Sequence, residues 1–216
     1  MSKITSQSFT CPKCKYEGKF IMYDSVNVTL DPELREKVLS GEIFDWTCPK
    51  CGDKYNIRHD LLYHDMDKEF QVYYSPKNSA ELNKTINNLA RKCLGVSRKY
   101  RTVNSLNALR EKIFIFERGF NDIAIELVKA ILKFGKNEIR ENTELRFIDF
   151  FEVKENISEG KLAFKQIIDD QPQKGIVIFD KEAYDKILNE VQTNDKFKMT
   201  DPCETIDESW ILKRMK

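Results

Sequence analysis

The sequence predicts an α+β fold made of an N-terminal β domain with an inserted helix, a middle helical bundle, and a small C-terminal β-sheet with a helix. Two observations predict this order. Short strand-like segments fill the first part of the chain, and the apolar spacing then changes to steps of three and four residues before strand-like segments return. The predicted domains are residues 1–77, 78–135 and 136–216.

The N-terminal domain combines strands with one short helix. Residues 20–30 are rich in β-branched and aromatic side chains and predict a strand. Asp31, Pro32 and Glu33 supply an N-cap, a proline for the first turn and an acidic residue, so they predict a helix that ends at Gly41. Further strands are predicted over 43–47, 54–58, 61–63 and 70–74, with a hairpin loop over 64–68.

The middle domain is predicted to be a bundle of three amphipathic helices. Apolar residues recur at helical spacing within 82–93, 106–116 and 123–131, and a glycine follows each run. Asn78 is the expected cap of the first helix. In the C-terminal domain, strands are predicted over 145–153, 162–168 and 175–179, and a helix over 181–191.

Four of the six cysteines form two matched CPxC motifs, Cys11 with Cys14 and Cys48 with Cys51, separated by 33 residues. Four thiolates complete the tetrahedral shell of a structural zinc ion. The separation exceeds the roughly 15–20 residues of common four-cysteine sites, and the inserted helix accounts for the excess. The N-terminal domain is therefore predicted to be zinc-ribbon-like, and Gly52 is expected to take positive φ just after the second motif.

Two other interpretations of these motifs stay open. Iron uses the same four-thiolate set, and a single CxxC can act as a redox dithiol, although such a dithiol needs no second matched motif. Outside the motifs, Cys93 is predicted to be a small core residue and Cys203 a loop thiol. His64 is expected to serve a turn or packing role.

The middle domain is the basic part of the chain. Residues 79–133 hold 11 basic and 5 acidic side chains, and no acidic residue lies between Glu81 and Glu111. Such a basic patch favours an alternative function, which is nucleic-acid binding through segment 84–110. The basic residues concerned are Lys84, Arg91, Lys92, Arg98, Lys99, Arg101 and Arg110.

Several function classes find no support in the sequence. No apolar run approaches the roughly 18–20 residues of a membrane span, and the first residues lack the apolar region of a signal peptide, so a cytoplasmic location is expected. GxGxxG, GxxxxGK[ST], HExxH and GxSxG motifs are absent from the sequence. A non-enzymatic scaffold with a protein partner is the first expectation, and an enzyme with a site between domains is the third. The sequence specifies no oligomeric state.

The motifs resemble those of the CpXC-domain proteins, a prokaryotic family. The resemblance covers about residues 8–135. It is carried by CPKC and CPKCG on either side of DPELREKVLSGEIF, by LLYHDMDKEFQVYYSP and by SLNALREKIFIFERGFNDIAIELVK. It implies that the four motif cysteines bind the metal, and it implies no reaction. Where the family tends to have an acidic pair in the third helical segment, this chain has Asn121 and Asp122.

Overall fold

The structure is a computed structural model that describes residues 1–77, 80–92, 99–135, 143–148, 160–168 and 171–215. Its helices are α1 Leu34–Ser40, α2 Ala80–Lys92, α3 Leu106–Glu117, α4 Asp122–Phe134, α5 Lys181–Thr193 and α6 Glu208–Met215. Its strands are β1 Lys3–Thr10, β2 Glu17–Asn27, β3 Asp45–Thr47, β4 Lys54–Asn56, β5 Leu61–Asp65, β6 Phe70–Tyr74, β7 Lys99–Val103, β8 Glu144–Phe147, β9 Lys161–Ile168, β10 Gln171–Asp180 and β11 Cys203–Glu204. The predicted α+β class is confirmed.

The chain divides into two compact units, residues 1–110 and 111–216. The boundary falls inside the predicted middle domain 78–135, and the division into three domains stays a prediction. No helix in the described ranges is both long and apolar enough to cross a membrane.

The first unit is built on strands that hydrogen-bond in the order β1-β2-β5-β6-β7. The β1–β2 and β5–β6 pairs are antiparallel hairpins, whereas β2–β5 and β6–β7 are parallel pairs. Burial alternates along β5 and β6, as expected of strands with one face against a core. A separate antiparallel ribbon pairs β3 with β4, where Trp46 stands opposite Tyr55.

The inserted helix α1 ends as the sequence predicts. Gly41 has φ +88°, and its N–H donates to the carbonyls of Lys37 and Val38. The Arg110 guanidinium donates to the carbonyls of Leu39 and Ser40. These bonds satisfy carbonyls that a helix C-terminus leaves without intrahelical partners. The strand predicted over 43–47 begins late, because a short 3-10 helix covers Glu42–Phe44.

The prediction of a purely helical middle segment is wrong at β7. Lys99–Val103 is a strand that pairs in parallel with β6. Its sequence, KYRTV, suits a strand, but its partner lies on another part of the chain, so local spacing gave no signal for it. The helices predicted to follow are confirmed as α3 and α4, and the Asn121 side chain caps α4 by accepting N–H bonds. Asn78, Cys93 and Arg98 lie outside the described residues.

The second unit places three antiparallel strands in the order β10-β9-β8 and packs α4 near α5, α6 and β8. Edge-to-face aromatic contacts join Phe120 to Phe147 and Tyr184, and Phe147 to Phe164. Cys203, expected as a loop thiol, instead lies buried in β11. β8, Glu144–Phe147, begins one residue before the predicted strand 145–153 and overlaps its first three residues; residues 149–153 lie outside the described part.

A network of buried charges joins α3 to α4 in the second unit. The Lys112 ammonium lies 3.1 Å from Asp122 Oδ2 and 3.4 Å from Glu126 Oε1. The Lys129 ammonium lies 3.0 Å from both Glu111 Oε2 and Glu126 Oε2. All but Lys129 are at most 6% exposed at the side chain, so each ion depends on these neighbours in place of water.

Burial has opposite effects on the two kinds of ion in this network. Desolvation raises the pKa of the Glu111 carboxyl. Burial alone would lower the pKa of Lys129, but the Glu111 and Glu126 carboxylates outweigh it and raise that pKa. The 2.6 Å bond that the Phe147 N–H donates to Glu111 also favours the carboxylate. The short contacts of Lys129 with both carboxylates favour the ionised form of the network.

Replacing Lys112 tests how much the second unit depends on this network. Lys112→Met leaves Asp122 and Glu126 short of a buried cation, so we expect a loss of about 3–5 kcal/mol in the free energy of unfolding. The matched control is Lys186→Met on α5, where the lysine is exposed and the expected change is within about 0.5 kcal/mol. Urea unfolding measures the free energy of unfolding of both variants. Equal losses in the two would contradict the stabilising role of the buried network.

Candidate metal centre

The structure brings the sulfurs of the four motif cysteines together. The Sγ atoms of Cys11, Cys14, Cys48 and Cys51 all lie within 4.8 Å of one another. Cys11 Sγ is 3.7 Å from Cys51 Sγ, and Cys14 Sγ is 3.6 Å from Cys48 Sγ. All four are free thiols. Each motif therefore contributes two sulfurs to one cluster, and the approaches of 3.7 Å and 3.6 Å run between the motifs.

The first motif forms a tight turn between β1 and β2. The Cys11 N–H donates to the Tyr16 carbonyl at 2.8 Å, and the Lys15 N–H donates to the Cys11 carbonyl at 2.9 Å. Lys15 has φ +61°, a left-handed conformation that costs a residue with a Cβ about 1–2 kcal/mol. This turn folds Cys14 back towards Cys11.

The second motif repeats the same turn between β3 and β4. The Cys48 N–H donates to the Asp53 carbonyl at 2.8 Å, and the Gly52 N–H donates to the Cys48 carbonyl at 2.9 Å. Gly52 has φ +75°, as the sequence predicts, and occupies the position that Lys15 holds in the first turn. The two turns thus present their cysteines in the same way.

The sulfur spacing fits a tetrahedral metal ion. A Zn–S bond of about 2.3 Å places the corners of a tetrahedron about 3.8 Å apart. The Cys11–Cys51 and Cys14–Cys48 Sγ separations, 3.7 Å and 3.6 Å, are close to this value. Iron binds the same four-thiolate ligand set. The sulfur spacing therefore fits a bound metal ion and does not distinguish zinc from iron.

An aromatic core supports the cluster on one side. Cys11 and Cys48 are at most 1% exposed and pack with Phe20 and Trp46, whereas Cys14 and Cys51 are partly exposed. The Trp46 indole N–H donates to the Lys19 carbonyl at 3.0 Å and so fixes the ring. At Gly18 a Cβ would lie 2.8 Å from that ring, which explains why a residue without a side chain stands there.

Tyr55 and Asp53 form an outer layer around the sulfurs. The Tyr55 hydroxyl lies 3.6 Å from Cys11 Sγ and 3.5 Å from Asp53 Oδ2. Asp53 also accepts a 2.7 Å bond from the Lys13 ammonium, which joins the first turn to the second. Sequence analysis missed both residues, although each follows the second motif closely. Outer partners of this kind orient metal ligands and tune their basicity.

The Cys11 and Cys51 thiols differ in acidity. Desolvation raises the pKa of Cys11, but its hydrogen bonds with the Cys14 backbone and the Tyr55 hydroxyl outweigh it and lower that pKa to about 6. The Asp53 backbone acts to lower the pKa of Cys51, but desolvation and the neighbouring thiols raise it to about 12. Cys11 therefore loses its proton before Cys51, and an incoming cation would release the protons that remain on the thiols.

The histidines lie outside the sulfur cluster. The His59 ring packs against Phe20 and Phe44, and its Nδ1 is 2.9 Å from the Asp60 carbonyl oxygen. His64 is a partly buried residue of β5. Within the residues that the structure describes, the only group of three or more potential metal ligands is the four cysteines.

The basic segment is partly used by the fold itself. Arg110 binds carbonyls at the end of α1, and Arg101 is 5% exposed and donates to the Tyr100 carbonyl. Of the predicted basic set in the described part, Lys84, Arg91, Lys92 and Lys99 are exposed. The basic surface of segment 84–110 is therefore smaller than the sequence suggests.

Comparison with protein families identifies a match to this chain. A family model described as CpXC protein matches residues 9–129, more than half of the chain, including all four motif cysteines. No curated protein and no solved structure matches the chain.

The repeated turns provide a matched test of backbone conformation. In Gly52→Ala the new Cβ meets no described atom within 4 Å, so the cost of about 1 kcal/mol should come from positive φ alone. Lys15→Ala is the control, because a residue with a Cβ already stands at positive φ there. Thermal unfolding of the two variants should separate them. An equal loss of thermal stability in Lys15→Ala and Gly52→Ala would contradict the assignment of the cost to positive φ.

The outer layer predicts a role for the Tyr55 hydroxyl. Tyr55→Phe removes the hydroxyl beside Cys11 and should weaken metal retention about tenfold in competition with a chelator. Tyr16→Phe, which alters an exposed hydroxyl next to the same turn, is the control. Unchanged retention in Tyr55→Phe would show that the hydroxyl only fills space.

Proposed function

The chain belongs to the CpXC family, and we propose that its four cysteines hold one structural zinc ion that stabilises a non-enzymatic scaffold for a protein partner. The observation that carries the proposal is the clustering of the four sulfurs within 4.8 Å, with separations of 3.6 Å and 3.7 Å across the motifs. A catalytic zinc needs an open coordination position. Four thiolates fill the shell, which supports a structural role.

The position of the cysteines supports a zinc-ribbon-like staple. One pair lies between β1 and β2 and the other between β3 and β4, so a bound ion joins two hairpins that share only a small aromatic core. Structural zinc contributes on the order of 10–16 kcal/mol to the folding of small domains. Zinc is preferred to iron because its role here requires no electron transfer. A cytoplasmic location, where thiols stay reduced, is part of the proposal.

Metal analysis tests the staple directly. We expect about one zinc per chain in protein purified without added metal, because one four-thiolate shell binds one ion. Removal by a chelator should change the fluorescence of Trp46, which packs against Cys11 and Cys48. Cys48→Ser should lower the zinc content and show the altered emission without chelator.

The control for the metal analysis is Cys203→Ala, which removes a thiol outside the motifs and should retain zinc. Bound iron in place of zinc would reject the choice of element. If the motif cysteines of the purified protein were found as disulfides, the structural zinc site would be rejected and a redox dithiol favoured.

Nucleic-acid binding through segment 84–110 is the competing proposal. The absence of acidic residues between Glu81 and Glu111 favours it, while the engagement of Arg101 and Arg110 within the fold speaks against it. Phosphate contacts produce a steep fall of affinity with salt. We expect a titration with mixed DNA and RNA at two salt concentrations to show no such binding. Salt-sensitive binding that Lys84→Ala and Lys92→Ala weaken would replace the scaffold proposal.

A further inference from the structure

The first strand of the chain is an exposed sheet edge. Among the described strands, β1 is the outermost of its sheet and has a neighbour, β2, on one side only. Apart from Thr5 and Phe9, its residues are exposed. An edge of eight residues presents a long row of backbone donors and acceptors to another strand.

The hairpin register shows which groups form this row. The Cys11 N–H donates to the Tyr16 carbonyl, which marks Cys11–Tyr16 as a hydrogen-bonded pair at the end of the ladder. Such pairs alternate along an antiparallel ladder, so Thr5, Gln7 and Phe9 also bond towards β2. The outward-facing backbone groups belong to Ile4, Ser6, Ser8 and Thr10. No hydrogen bond among the described residues engages these outward groups.

The edge lacks the features that usually prevent pairing. β1 contains no proline, and its one charged residue, Lys3, stands at the end of the strand. The irregularity in the hairpin places the extra residue, Asp24, in β2, so β1 itself stays regular. Exposed Ile4 and Ile21 add an apolar strip on the same face.

We propose that two copies of this chain pair through antiparallel β1 edges. With the two-fold axis at Gln7, Ile4 stands opposite Thr10 and Ser6 opposite Ser8, so every outward group of the strand finds a partner. A parallel pairing would place the two Lys3 residues side by side, whereas the antiparallel one places them at opposite ends. The interface is small, so we expect an affinity on the order of micromolar.

Charge supports a second copy as the occupant. The same register places Lys3 of the second copy opposite Cys11, on the same face of the sheet. This step rests on the proposed function, because four thiolates and one Zn²⁺ carry a net charge of about −2 that a nearby cation stabilises. The contact that Lys3 makes with Asp24 in its own chain, at 3.4 Å, is exposed and therefore easily exchanged.

Sedimentation of the full-length, zinc-loaded chain tests the pairing. We expect the mass to rise from one chain to two with concentration. Ser6→Pro removes an outward N–H and leaves the bonds to β2 intact, so it should weaken association at least about tenfold without changing thermal unfolding. Ser6→Thr keeps the donor and is the matched control. Lys3→Glu should also weaken the dimer, whereas Lys3→Arg should not.

Zinc content, measured on each sample, separates this proposal from the previous one. A chain that carries one zinc and stays monomeric at high concentration overturns the pairing, as does a dimer that Ser6→Pro leaves unchanged. A dimer that is sensitive to Ser6→Pro but carries no zinc supports the pairing and overturns the proposed function.

Discussion

The first unit brings four thiol sulfurs within 4.8 Å of one another. Thiolates at this distance repel, so the arrangement favours a cation at its centre. The backbone positions the sulfurs, because two turns with the same hydrogen bonds hold Cys11 near Cys14 and Cys48 near Cys51. The β1–β2 hairpin and the β3–β4 ribbon meet at this cluster, and the aromatic core beneath it holds only a few side chains. A bound ion would supply the cohesion that so small a core lacks.

The second unit is stabilised differently. Its aromatic side chains around Phe147 and Tyr184 pack edge to face, and its buried ions are matched by lysines on α3 and α4. Burying charge is expensive unless each ion has partners. Such a network therefore favours one arrangement of α3 against α4 over others of similar hydrophobic content. The two units therefore differ in their stabilising contacts: a cysteine cluster in the first, and aromatic packing with buried ion pairs in the second.

Local signals in the sequence predicted those features whose cause is also local. Gly41 ends α1 and Gly52 takes positive φ because only the residue itself and its nearest neighbours decide the backbone there. The α3 and α4 helices followed from apolar spacing. β7 was missed because a strand is stabilised by its neighbour, and β6 lies more than twenty residues earlier in the chain. Cys203 was misplaced for a similar reason, since burial depends on what packs around a residue.

The sequence by itself determined which four cysteines could share a metal, because two residues between paired thiols suffice to bend the chain around one ion. Only the tertiary structure decided that the two motifs meet, that Tyr55 and Asp53 stand behind the sulfurs, and that Lys112 finds Asp122 and Glu126. These contacts join residues distant in sequence or on different elements, and their energies depend on distance and on the exclusion of water. Neither the distance between two such groups nor their burial can be predicted from the neighbouring residues in the sequence.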